Sequence, residues 1–141
     1  MTQVDIYIKV KWTGSMRGTG RAAGIIVCTD REGKEHHKVV TTNVQDSTRE
    51  RLQLQAITKA LHSLNRPCSV GIYVNNEHIR NVQDHKWYRD WQQNGWKNKR
   101  GKEIKNGDVW RILAPLLETH EVGIMGYIGR YEPELEKALE E

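Results

Sequence analysis

Residues 86–110 read "KWYRDWQQNGWKNKRGKEIKNGDVW", a stretch of very uneven build. It holds four of the five tryptophans in the 141-residue chain. Trp87 and Trp91 lie four apart, so they share one face if the segment is helical. After Gly95 and Trp96 come Lys97, Lys99, Arg100, Lys102 and Lys105, with Glu103 the one acid among them. From His85 to Lys105, seven cations stand against two acids, a local +5 that exceeds the +4 of the whole chain. A cationic loop anchored by aromatics suits contact with phosphates, whose charge dominates non-specific nucleic-acid affinity. The plainer alternative makes Trp87, Trp91 and Trp96 core anchors and the lysines a solvated face.

Outward from this stretch the charge stays uneven. Lys9, Lys11, Arg17 and Arg21 follow one another with no acid after Asp5, while 132–141 holds five glutamates and one lysine. Such clustering points to a polyanionic partner more than net charge does. With 37% apolar and 28% charged residues, the chain reads as globular. One domain over 1–141 fits its length. Its apolar runs, such as "AAGIIVC" at 22–28, fall short of the roughly 20 residues that span a bilayer. The opening "MTQVDIYIKV" has no apolar stretch behind a basic one, so the expected compartment is the cytoplasm. Cys28 and Cys68 sit in strand-like contexts without metal-ligand spacing and are expected to be reduced and inert.

Period and punctuation set the order of elements. "VDIYIKVKW" (4–12) alternates and predicts a strand, "TGSMRGTG" (13–20) a turn, "RAAGIIVCT" (21–29) a second strand and "EHHKVVTTN" (35–43) a third. Ser47 and Glu50 stand at capping-box spacing before Leu54, Ile57, Leu61 and Leu64, which share a helix face. "CSVGIYV" (68–74) predicts a buried strand. Helices are expected over 76–84, 86–93 and 107–119, the last bent at Pro115. A strand over 121–128 and a helix over 132–141, with Pro133 in its first turn, complete the order. Three antiparallel strands, helix, strand, helices, strand, helix describes an α/β fold with a five-stranded mixed sheet flanked by helices.

That order, together with "GWKN" and "KNGDVW" in the opening segment, resembles bacterial ribonucleases H of the type that bears a basic protrusion, here about 86–107. The resemblance runs from Val4 to about Gly129 and implies a nucleic-acid-binding protrusion. Members of that family cleave the RNA strand of RNA/DNA hybrids with two divalent metals held by four carboxylates. Carried over residue by residue, the first-strand position is Lys9, the first-helix position Gln53 and the fourth-strand position Asn75. The last falls nearest Lys137, across a loose match. All four carboxylates are replaced, which takes the site from about −4 to about +2. Mg²⁺ requires oxygen anions and is repelled by nearby ammonium groups.

The expectation is therefore a ribonuclease H-like protein without catalysis or metal, binding hybrid or duplex nucleic acid by shape and phosphate. Its candidate contacts are Lys9, Thr48, Arg49, Trp87, Trp91, Trp96, Lys97, Lys99, Arg100, Lys102 and Lys105. Thr48 occupies the family's phosphate-pocket threonine position, flanked by Arg49 and Arg51, and reads alternatively as a helix cap. Relocated carboxylates at Glu50 and Glu77, holding Mg²⁺ or Mn²⁺, form an alternative. A protein-interaction scaffold using the acidic tail forms another.

Overall fold

A computed structural model describes residues 1–14 and 18–140. The centre of the expected 13–20 turn, with Arg17, lies outside the described residues, as does Glu141. Strands β1 (Thr2–Gly14), β2 (Gly18–Thr29), β3 (Glu35–Ser47), β4 (Cys68–Tyr73) and β5 (Glu121–Met125) form one sheet in the order β3-β2-β1-β4-β5. β1 to β3 run antiparallel, and β1, β4 and β5 are parallel. Helices are α1 (Arg49–His62), α2 (Glu77–His85), α3 (Trp87–Gln93), α4 (Gly107–Thr119) and α5 (Glu132–Glu140).

The alternation along β1 serves two cores. Val4, Ile6 and Ile8 face α1 and α4, joining Leu52, Leu54, Ile57, Val109 and Leu113. Tyr7 faces the other way, with Ala23, Ile25 and Val27 of β2 under Leu135, Ala138 and Leu139 of α5. β2 is therefore apolar on both sides from Ala22 to Val27, the pattern of a strand covered on both faces.

Four expectations need correction. The turn expected over 13–20 is shorter, because β1 runs on to Gly14 and pairs there with Gly18, where β2 begins. β5 ends at Met125 rather than 128, because Met125 pairs with Tyr73, where β4 stops. β3 continues to Ser47, which pairs with Gly18 past a bulge where 45 and 46 of β3 stand against the single residue 19 of β2. Its backbone is thus committed to the sheet, and α1 starts one residue later than the capping-box spacing implies. Thr48 is the N-cap, its Oγ1 accepting from Arg51 N at 3.2 Å. Glu50 falls at the second helical position instead of the third, out of capping-box phase.

Pro115 lies inside α4, as its position indicated, leaving the Arg111 carbonyl without its usual i+4 donor. Cys68 is buried, Cys28 half-buried, and both are free thiols. No helix among the described residues is long and apolar enough to cross a membrane.

Candidate functional site

β4 stops at Tyr73 opposite Tyr7, so the chain leaving it brings Asn75 alongside the continuing β1 at Lys9. Gln53 and Arg49 reach the same place from α1, one turn apart. Tyr127, beyond β5, and Glu132, at the start of α5, complete the lining. The cavity measures about 120 Å³, room for about four waters at roughly 30 Å³ each. Three of the four positions inferred from the resemblance, Lys9, Gln53 and Asn75, thus converge. The fourth does not. Lys137 is exposed and borders an adjoining groove on the far side of Lys9 and Val10, and α5 contributes Glu132 to the cavity instead.

Glu132 changes the electrostatics. Lys9 Nζ forms an ion pair with Glu132 Oε1 and a second with Glu136 Oε1 at 3.1 Å. The Glu132 carboxylate raises the Lys9 ammonium above the ordinary lysine value, against the opposing pull of burial, and Glu136 adds to the rise. The expected site charge of about +2 is not realised, because the Lys9 cation is answered inside the fold. Arg49 is exposed at the rim and forms no ion pair among the described residues.

Gln53 is a structural amide here. At 3% exposure, its Nε2 donates to the Asn75 carbonyl at 3.2 Å and its Oε1 accepts from Asn76 Nδ2 at 2.8 Å. Asn76 also caps α2, its Oδ1 accepting from Ile79 N at 3.0 Å. The two amides joining β4 to α2 therefore divide the work: Asn75 borders the cavity, and Asn76 ties α1 to α2. No set of three or more metal-ligating side chains comes together among the described residues. One carboxylate paired with lysine, plus neutral amides, does not match the all-oxygen anionic cage that two Mg²⁺ ions require.

The relocated carboxylates point elsewhere. Glu50 Oε1 lies 2.9 Å from His78 Nδ1 and accepts from Asn76 Nδ2 at 3.2 Å, while Oε2 accepts from Asn106 Nδ2 at 3.4 Å. Beside it, Arg51 grips Asp108 with both NH groups, at 2.9 and 2.5 Å, holding that carboxyl at a pKa of about 2. Glu50 and Arg51 together pin the start of α4 to α1. Glu77 is an exposed first-turn acid of α2, where the helix dipole favours it.

The start of α4 is also the foot of the basic loop. Trp96 N donates to Trp91 O at 2.7 Å, and Ile104 N donates to Trp96 O at 3.1 Å. A bridge between Lys97 and Glu103 closes a small hairpin. Asn98 organises its tip, accepting from Arg100 N at 2.9 Å and Lys102 N at 3.0 Å through one side-chain oxygen. The signal for this Asx turn is present in "NKRGK", where an asparagine precedes glycine by three. Lys97, Lys99, Arg100, Lys102 and Lys105 are exposed, and none joins an ion pair among the described residues.

The tryptophans separate by burial. Trp96 is 9% exposed and belongs to the core, under the Arg111 guanidinium. Trp91 packs between Trp96 and Trp110, with ring centroids 6.5 and 5.7 Å away. Burial leaves Trp96 little surface for a base, while Trp91 stays half-buried against its two tilted neighbours. Trp87 is 37% exposed and stacks on His85 at 5.5 Å.

Comparison with known proteins agrees with the element order. The RNase H family model matches residues 9–128. Ribonuclease H of Oleidesulfovibrio alaskensis is 33% identical over 138 residues, covering 96% of this chain and 86% of that protein. LC9-RNase H1, described as a type 1 RNase H with the type 2 active-site motif, superposes with a TM-score of 0.76 at 20% identity, covering 99% of this chain and 69% of that one. A foamy viral protease-reverse transcriptase bound to an RNA/DNA hybrid superposes with a TM-score of 0.64 at 15% identity, covering 98% of this chain and 19% of that one.

Proposed function

The chain belongs to the RNase H family, and from that premise we propose that it binds hybrid or duplex nucleic acid without metal and does not cleave it. The observation that carries this reading is the Lys9–Glu132 pair. An ammonium group stands where the family's chemistry needs a carboxylate, and it engages the one acid lining the cavity. Two Mg²⁺ ions held by neutral Gln53 and Asn75 carbonyls would lack the anions that offset their dehydration.

Binding is assigned to the hairpin 97–105, acting as a basic protrusion. Its five cations are open to solvent, so they meet phosphates without first breaking internal pairs. Trp87, half-exposed between His85 and the helix face, is the aromatic free to touch a sugar or base. Arg49 at the cavity rim adds a contact, with the Thr48 hydroxyl that caps α1 as its neighbour in the chain. Recognition by phosphate and shape predicts little base preference and a steep salt dependence. The relative bound to a hybrid is consistent with that ligand class.

The test is a labelled RNA/DNA hybrid incubated with the protein in Mg²⁺, in Mn²⁺ and in EDTA across a salt series. Binding that persists in EDTA, falls with salt and produces no cleavage supports the proposal. Metal-dependent cleavage lost in Glu50→Gln or Glu77→Gln overturns it in favour of relocated carboxylates.

A further inference from the structure

A second basic track lies apart from the hairpin. β1 places Lys9 and Lys11 two residues apart on one sheet face, and the strand register sets Arg21 of β2 opposite Lys11. Two strand residues advance about 6.6 Å. Across them lies α5, where Glu132, Glu136 and Glu140 recur every four residues, a step of about 6 Å along the helix axis. The two intervals match, and the charges engage in order. Lys9 takes Glu132 and Glu136, and Lys11 reaches Glu140 at 3.0 Å. Arg21 donates to the Leu139 carbonyl at 2.9 Å, in the negative last turn of the helix.

A row of carboxylates at this interval over a row of cations reproduces the charge pattern of a phosphodiester strand on a basic track. The geometry points to a latent polyanion-binding site on β1 and β2, formed by Lys9, Lys11 and Arg21, with the glutamate side chains of α5 as its resting occupants. Its ligand class is the phosphodiester backbone, and the inference rests on the nucleic-acid reading above. The helix itself need not leave. Leu135, Ala138 and Leu139 stay seated on Tyr7, Ala23 and Ile25 while the outer side chains exchange partners. Lys11, Glu136 and Glu140 keep 57, 62 and 70% of their side-chain surface in water. Pairs this wet yield to salt and to competing anions.

A charge-exchange cycle on a labelled RNA/DNA hybrid, read by fluorescence anisotropy over a KCl series, tests the site. Its four proteins are wild type, Glu136→Gln/Glu140→Gln, Lys11→Gln, and the combination. The double glutamine variant is expected to bind more tightly, its log–log salt slope steeper by about 0.9 for each cation released. Lys11→Gln is expected to leave the wild-type slope unchanged and to remove that gain in the glutamine background. No gain from the glutamines, or an equal effect of Lys11→Gln in both backgrounds, overturns the latent site. If wild type still binds through the hairpin in that case, the proposed function stands. If none of the four proteins binds, both fall.

Discussion

The cavity around Lys9 and the hairpin at 97–105 are both cationic in sequence, yet they differ in where their counter-charges lie. In the cavity, Lys9 is answered by Glu132 and Glu136 from more than 120 positions away. In the hairpin, no described acid pairs with any of the five cations. A positive charge already satisfied within the fold must break one contact to make another, and its net gain is small. An open one gives its attraction to an incoming phosphate directly. A count of lysines cannot separate the two cases, whereas partner geometry does.

The largest effect that would break this contrast is on binding. Reversing Lys97, Lys99, Arg100 and Lys102 to glutamate should abolish hybrid binding. Neutralising the same four should flatten the salt slope by about 3.6, at roughly 0.9 per phosphate contact. Lys9→Gln should leave that slope unchanged. Equal losses from Lys9→Gln and from a single hairpin lysine, measured by anisotropy, would erase the distinction.

Next come the tryptophans, which sharpen it within one segment. Trp96→Ala should cost about 3–5 kcal/mol in denaturant melts, as expected for emptying a buried aromatic site. Trp87→Ala should cost about 1 kcal/mol or less and weaken binding instead. A reversed order would place Trp96, not Trp87, at the nucleic acid.

Gln53→Glu probes the cavity more gently. The acid loses the donor that serves the Asn75 carbonyl and brings a charge to a 3% exposed position, a cost of about 1–3 kcal/mol at neutral pH. Burial raises the folded-state pKa of the new carboxyl, so destabilisation sets in above the unfolded value of about 4.3 and grows to its full size past the folded one. Urea melts between pH 4 and 8 should show it. A variant as stable as wild type across that range, and active with Mg²⁺, would reveal a cavity poised for catalysis.

The smallest effect is expected where the first turn of α5 meets β3. His37 on β3 lies 2.8 Å from Glu35 and 3.2 Å from Glu134. Glu35 first and Glu134 second raise its pKa. Protonated His37 therefore contributes stability that is fully present below the unfolded value of about 6.5 and is lost as pH rises through the folded one. His37→Gln should remove that pH dependence, by less than about 1 kcal/mol for so wet a pair. An unchanged melt-versus-pH curve would show that Glu134 does not hold this strand to α5.

The order of strands and helices was largely legible from period and punctuation, because those signals arise from neighbours in the chain, whereas strand ends were not. Where they misled, a distant partner had intervened. Ser47 lost its capping role to a pairing with Gly18, and β5 stopped where β4 ran out. Glu50, expected to serve its own helix, instead joins Asn76, His78 and Asn106. Lys137 faces outward on α5, whereas Glu132 at its start turns in to Lys9.

Local order therefore reads directly from residues: the alternation of β1, the apolar face of α1 and the Trp–Gly–Lys build of the hairpin. What the linear chain could not reveal is which charges would meet. Periodicity arises from contacts within a turn or a pleat, over a few residues. Electrostatic partnership depends on through-space separation of a few ångströms, and the fold brings Glu132 to Lys9 across nearly the whole length of the chain.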